Sequence, residues 1–186
     1  EKLIAEYGFN SNTIIAMFIP NTYEVFWNTS PEDFFKKMNR EYKKFWNEER
    51  QAKAKAAGFT PIQIATLASI VEAETNKHDE KSRIAGVYIN RVRTDMPLQA
   101  DPTVKFALQN FGIKRVTQDH TVVNSPYNTY KIKGLPSGPI GNPGDIAIEA
   151  AMNPDTNDFI YFLSDKDGVN HYAKTYAEHL NNRRVY

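Results

Sequence analysis

Two glutamates near the end of an apolar run, Glu72 and Glu74, are the side chains of this sequence best suited to acid–base chemistry. On a helix that turns about 100° per residue, positions two apart diverge by about 200°, so each acid borders the apolar stripe on an opposite flank. Glu72 has only small neighbours on its flank, Ala65 and Ala68, which leaves room for a substrate. A carboxyl group against apolar walls is harder to ionise, which suits a general acid near neutral pH. Glu72 is therefore our candidate catalytic residue; the alternative is that both acids reach water from the helix edge.

Other kinds of catalytic or binding chemistry find little support in the 186 residues. The absence of cysteine excludes thiol nucleophiles, disulfides and cysteine-ligated zinc or iron–sulfur centres. The sequence contains no phosphate-binding glycine loop, no dinucleotide fingerprint and no serine-hydrolase elbow, and we predict no cofactor. The 23 basic and 22 acidic side chains leave a net charge of +1, which gives no electrostatic argument for nucleic-acid binding. No pair of histidines has the spacing of a zinc site, so we predict no metal at His78, His120, His171 or His179.

Capping residues and apolar spacing predict the elements that position the two acids. The predicted helices cover residues 31–57 after Ser30, 61–74 after Thr60, 79–93, 101–108 with Asp101 as cap, 145–152, and a short segment from 175. The predicted strands cover residues 13–19 and 21–27, and a C-terminal β-hairpin of 159–163 and 169–173 around the turn 165–168. The fold class is therefore α+β, mostly helical with a small antiparallel sheet.

The segment 134–144 has too many glycines and prolines for a regular element. Four of its eleven residues are Gly and three are Pro. Glycine lets backbone approach a ligand closely, so we expect this segment to form one wall of a cleft.

Six short segments, in order along the chain, carry a family resemblance. They are residues 20–23 (PNTY), 67–75 (LASIVEAET), 87–91 (VYINR), 98–104 (LQADPTV), 125–130 (SPYNTY) and 134–140 (GLPSGPI), with NPG following at 142–144. Together they resemble the YceG-like endolytic murein transglycosylases (MltG), over about residues 18–180. Two positions differ from the family's usual pattern: Ala73 where Lys is common, and Asn21 where Asp is common.

The resemblance implies a peptidoglycan lytic transglycosylase that cuts glycan strands between N-acetylmuramic acid and N-acetylglucosamine. The product would end in a 1,6-anhydro sugar, formed without water. The resemblance maps the catalytic acid to Glu72, which would first protonate the leaving oxygen and then take a proton from the sugar's C6 hydroxyl. Because the nucleophile belongs to the substrate, no second carboxylate is required.

The resemblance also implies a set of glycan contacts around that acid. Aromatic rings can stack on pyranose faces, and amides can bond an N-acetyl group. Tyr127, Asn128 and Tyr130 lie in such a polar and aromatic segment, although tyrosine and asparagine are also common in turns. Gln99 and Asp101 precede a predicted helix, and Asp101 has a plain alternative role as its cap. Glu74 is expected to bind substrate or to organise the neighbouring loops.

Domain organisation and location follow from the resemblance alone. Residues 1–19 would be the remnant of a preceding LysM-like module, and residues 20–186 the catalytic domain. The full-length protein would be anchored in the inner or cytoplasmic membrane, with the catalytic domain facing the periplasm or cell wall. An anchor is not found in this sequence, which contains no apolar run of about 20 residues. The partners would be peptidoglycan glycan strands and, through the full-length protein, cell-wall synthases.

Two readings from other classes remain open at this point. The domain could bind glycan as a scaffold of the cell-wall synthesis machinery with weak or no catalysis. Turnover of purified glycan strands would distinguish this scaffold from a lytic transglycosylase. An older description of the family, aminodeoxychorismate lyase, would require pyridoxal phosphate. No lysine here has a recognisable context for that cofactor, and a visible absorbance band would test it.

Overall fold

The structure, a computed structural model, describes residues 2–186 and confirms an α+β fold. In chain order, its helices and strands are α1 (Lys2–Glu6), α2 (Pro31–Phe45), α3 (Glu48–Ala57), α4 (Pro61–Glu74), α5 (Lys81–Arg93), α6 (Asp101–Ala107), α7 (Asp145–Met152), β1 (Tyr161–Ser164), β2 (Asn170–Ala173) and α8 (Tyr176–Val185). Short 3₁₀ turns lie at Ile14–Met17, His78–Glu80 and His120–Val122. No single helix in residues 2–186 has the length and apolar character to cross a membrane, although the bent pair of α3 and α4 meets both criteria together.

Helix α4, which carries both glutamates, is the centre of the fold. It starts with the predicted capping box, in which Thr60 Oγ1 accepts from the Gln63 backbone and the Gln63 side chain accepts from the Thr60 backbone. Residues 64–71 are all buried, so neighbours surround this part of the helix on every side, where the sequence predicted one apolar stripe. Helices α5 and α7 pack against it most extensively. Beyond Val71 the helix emerges from the core: Glu72 is exposed on one flank, whereas Glu74 is partly buried on the other.

The N-terminal segment packs against α2 and α4 in an apolar cluster that is separate from the main core around α4. Phe9, Met17 and Met38 are buried there together with Ala65 of α4. The predicted strands at 13–19 and 21–27 are wrong: residues 14–17 form a 3₁₀ turn, and residues 18–30 contain neither helix nor strand. The apolar residues are buried against helices, and no partner strand is present among residues 2–186 to pair with them.

Two other helix predictions needed correction. The predicted helix over 31–57 is two helices, because the buried Trp46 ends α2 and the Asn47 side chain caps α3 by accepting from the Arg50 backbone. Gly58 ends α3 in the left-handed conformation that favours glycine. Asp101 is not a cap: Ala100 holds that position and Asp101 is the first residue of α6. Its carboxylate is therefore available for another partner.

The C-terminal hairpin is confirmed. Strands β1 and β2 pair antiparallel, with Tyr161 opposite Ala173 and Ser164 opposite Asn170. Gly168 in the turn has a φ of 73°, a left-handed conformation that favours glycine. Helix α8 follows a capping box at Thr175 and packs on both strands.

Candidate active site

The last residue of α4, Glu74, has the environment of a general acid. Its Oε1 accepts a hydrogen bond of 2.7 Å from the hydroxyl of Tyr88, which is itself buried in α5. Burial raises the pKa of the Glu74 carboxyl to about 7, with the Asp101 charge adding to the rise. The hydrogen bond from Tyr88 and the charges of Arg91 and Lys105 oppose it. A carboxyl group with this pKa is partly protonated at neutral pH and can both give and take a proton.

A second polar pair, Tyr130 and Asp101, lies within electrostatic range of Glu74. The Tyr130 hydroxyl donates to Asp101 Oδ1 over 2.6 Å. Burial raises the pKa of Tyr130 above its ordinary value, and the hydrogen bond to Asp101 raises it more. The structure thus brings together three of the residues predicted as substrate contacts, Glu74, Asp101 and Tyr130.

The segment that carries Gln99 is held against the segment that carries Tyr130. The Gln99 backbone N–H bonds to Thr129 O over 3.0 Å, and the Ala100 N–H bonds to Thr129 Oγ1 over 3.0 Å. Gln99 itself is exposed and has a φ of 49°, which is unusual for a residue with a side chain. Sparsely populated backbone conformations of this kind concentrate at functional sites. The Gln99 side chain is therefore presented to solvent two residues from Asp101.

Asn128 cannot contact a glycan directly, because it is fully buried. Its amide donates to Thr121 O over 2.8 Å and to Val123 O over 2.7 Å, and its Oδ1 accepts from the Tyr130 backbone over 3.1 Å. The prediction of a direct contact is corrected on this geometry: Asn128 shapes the loop that presents Tyr130. Tyr127, also predicted as a contact, is partly buried with its ring 4.7 Å from that of Phe106.

Glu72 lies on the opposite flank of α4, as its spacing from Glu74 predicted. Its side chain is 44% exposed, and its Oε2 is 3.1 Å from the ammonium of the buried Lys81. It lines a pocket of about 140 Å³ together with Ser69, Ala73 and residues 140–143. The pocket agrees with the expected open space beside Glu72. The ion pair with the buried Lys81 is a charged contact that the sequence did not predict.

The Gly/Pro-rich segment forms the wall of the Glu72 pocket. Ser69 Oγ of α4 accepts a hydrogen bond from the Ile140 backbone over 3.0 Å. Gly138 contacts the N-terminal segment so closely that a Cβ there would lie 2.0 Å from Asn12 O. The segment is thus fixed between α4 and residues near the N-terminus, which agrees with a cleft wall.

Three residues of the site were missed as functional candidates: Tyr88, Lys81 and Arg91. The buried Arg91 donates to Ile160 O over 2.7 Å and also to Leu98 O, which ties α5 to the segment before Gln99. Tyr88 and Arg91 both belong to the 87–91 segment, and that was the only signal available in the sequence. Within residues 2–186, no group of three or more acidic or histidine side chains is arranged to hold a metal ion.

Comparisons with known proteins agree on one family. A model described as the YceG-like family matches residues 2–185. The chain is 36% identical over 159 residues to an endolytic murein transglycosylase of Bacillus subtilis strain 168, which covers 86% of the chain and 44% of the relative. An endolytic murein transglycosylase of Streptococcus pneumoniae serotype 2 is 36% identical over 133 residues, covering 69% of the chain and 24% of the relative.

A solved structure supports the same relationship. A YceG-like protein from Listeria monocytogenes superposes with a TM-score of 0.80 at 32% identity, over 97% of this chain and 62% of that one. The chain spans less than half the length of the two curated relatives. A family match over residues 2–185 decides the classification, and the chain belongs to the YceG-like family.

Proposed function

We propose that this chain is an endolytic murein lytic transglycosylase, which cleaves the bond between N-acetylmuramic acid and N-acetylglucosamine. The relatives named endolytic murein transglycosylase support the substrate class. The observation that carries the chemistry is Glu74, a carboxyl group with a pKa raised to about 7 beside Tyr88 and near Asp101.

The reaction needs one carboxyl group that acts twice. Protonated Glu74 gives its proton to the glycosidic oxygen, the bond from that oxygen to C1 of the muramic acid breaks, and the glucosamine leaves with a free hydroxyl. The resulting carboxylate takes the proton of the C6 hydroxyl, whose oxygen bonds to C1 and closes the 1,6-anhydro ring. Tyr88 occupies Oε1, which leaves Oε2 as the atom that carries the transferred proton. No water is consumed, and Glu74 ends protonated as it began.

This proposal moves the catalytic role from Glu72 to Glu74. Oε2 of Glu72 is engaged in an ion pair of 3.1 Å with the ammonium of the buried Lys81. Burial raises the pKa of Glu74, the effect that was expected for Glu72, and Glu74 lies near the Asp101–Tyr130 pair. The assignment of Glu72 stays a prediction that the same experiment tests.

The experiment compares Glu74→Gln with Glu72→Gln on purified glycan strands, with products measured by mass spectrometry. Anhydro ends are one water lighter than reducing ends, so the two products are distinguished. We expect Glu74→Gln to lower turnover by about 10²–10⁴-fold and Glu72→Gln to have a milder effect. The reverse order would return the catalytic role to Glu72, and reducing ends in the wild-type product would reject the transglycosylase reaction.

The glycan contacts we propose are Gln99, Asp101, Tyr127 and Tyr130, with Asn128 supporting Tyr130. Membrane anchoring of the full-length protein, an active site on the periplasmic or cell-wall side, and association with cell-wall synthases are also proposals. Fractionation of cells that express the full-length protein, followed by cross-linking and identification of partners, tests them. Recovery in the cytosol without any synthase would contradict them.

A further inference from the structure

Lys81, the first residue of α5, is an ammonium group almost removed from solvent. The residue is 2% exposed. Its Nζ donates to the backbone oxygen of Thr75 over 2.7 Å and lies 3.1 Å from Glu72 Oε2. A buried charge is costly unless it is paired and hydrogen-bonded, so these two contacts account for its presence there.

The two groups that Lys81 contacts lie on either side of Glu74 in the sequence. Glu72 is in the last turn of α4, and Thr75 is the C-cap of that helix, with extended backbone angles. The last carbonyl groups of a helix lack partners within it and attract cations. One side chain from α5 therefore fixes both ends of the four-residue stretch whose third residue is Glu74.

Residues next to Lys81 in the sequence connect the end of α4 to the C-terminal hairpin. Glu80, adjacent to Lys81, accepts a hydrogen bond from Thr75 Oγ1 over 3.1 Å and one from Asn170 Nδ2 of β2 over 2.6 Å. Lys77 also donates to Gly168 O in the hairpin turn. The connection between α4 and α5 is thus held from the hairpin side, which restricts the movement of Lys81.

We propose that Lys81 is a positioning residue for Glu74: by holding Glu72 and the Thr75 carbonyl, it keeps the end of α4 in the geometry that places the Glu74 carboxyl group against Tyr88 and toward substrate. The inference rests on the proposed function of Glu74. Lys81 has too little exposed surface to touch a glycan, so its effect passes through the helix end.

The test compares Lys81→Met and Lys81→Arg with Lys53→Met. Methionine has a similar length and suits a buried site, and Glu72 is exposed enough to remain hydrated without its partner. Lys53 forms an ion pair with Glu49 on the exposed surface of α3 and is the matched control. The measurements are kcat and KM on soluble glycan strands, and the midpoint of the Glu74 carboxyl titration by carbon NMR, which needs no turnover.

We expect Lys81→Met to lower kcat by about 100-fold, as displacement of a catalytic group by about 1 Å does, with little change in KM. The Glu74 titration midpoint should fall from about 7 toward its ordinary value, because a loosened helix end exposes the carboxyl group. Lys81→Arg keeps the cation and should recover most of kcat. Lys53→Met should behave as wild type.

Wild-type kcat together with an unchanged Glu74 midpoint in folded Lys81→Met would overturn the inference. If Lys81→Met does not fold, Glu72→Gln decides, because it weakens the Lys81 contact and should move the Glu74 midpoint in the same direction. An unmoved midpoint there rejects the inference. Failure of the proposed function is a separate result: Glu74→Gln would then keep full turnover, while the NMR midpoints would still report whether Lys81 positions Glu74.

Discussion

The hydroxyl of Tyr88 donates to Oε1 of Glu74 over 2.7 Å and so links the middle of α5 to the last residue of α4. A hydrogen bond to a carboxylate stabilises the ionised form, and this one acts against the burial that raises the pKa of Glu74 to about 7. Tyr88 therefore both orients the acid and limits how far its pKa rises.

Replacing Tyr88 with Phe should raise the pKa of Glu74 above its present value, because the bond that favours the carboxylate is lost. The alkaline limb of kcat/KM, where protonated Glu74 disappears, should move to higher pH. The loss of orientation should lower the maximum about tenfold. A pH–rate profile measures both effects, with Tyr176→Phe on the exposed surface as the control. A limb that stays in place or moves to lower pH would contradict the role given to this bond.

Replacing Asp101 with Asn should move the same limb in the opposite direction. The Asp101 charge raises the pKa of Glu74, and Asn removes the charge while its oxygen can still accept from Tyr130. The alkaline limb should therefore move to lower pH. Asp95→Asn is the matched control, since Asp95 is paired with Lys133 on the surface and asparagine tolerates its φ of 55°. Equal shifts in both variants would indicate a general charge effect.

Glu74 should also make the stability of the fold depend on pH. Its pKa is higher in the folded chain than the ordinary value of 4.5, so the folded state binds more protons and this contribution to stability is lost as pH rises from about 4.5 through about 7. The loss amounts to about 3 kcal/mol over this range. Denaturant unfolding at pH 4.5 and pH 8 should show Glu74→Gln gaining stability relative to wild type at the higher pH. A difference that does not change with pH would refute this.

Gly138 should not tolerate a side chain. A Cβ there would lie 2.0 Å from Asn12 O, a backbone atom that cannot move without displacing the N-terminal segment. We expect Gly138→Ala to lower the free energy of unfolding by about 1–3 kcal/mol, the usual range for overpacking. Gly141→Ala, in the same segment but with open space around it, is the control and should unfold at the wild-type temperature. Thermal unfolding of the two variants measures the difference. Equal unfolding midpoints would show that the close approach at Gly138 does not affect stability.

The parts of the fold that could be predicted from the sequence depend on interactions between near neighbours. The helix starts after Ser30 and Thr60 and the hairpin turn at 165–168 each rest on bonds or backbone angles within a few residues. The strands proposed for residues 13–27 failed because a strand requires a partner, and the apolar side chains there are buried against helices instead.

In the candidate site, too, local spacing could be predicted from the sequence and the neighbours in space could not. Helical spacing alone predicted that Glu72 and Glu74 emerge on opposite flanks of α4. Which neighbours each acid meets depended on residues from elsewhere in the chain: Lys81 reaches Glu72, whereas Tyr88 and Asp101 lie near Glu74. A pKa is set by the desolvation and charges around a group in space, and helical periodicity contains no information about those neighbours. The sequence therefore predicted the two acids and their opposite flanks, and the packing of the helices decided how their environments differ.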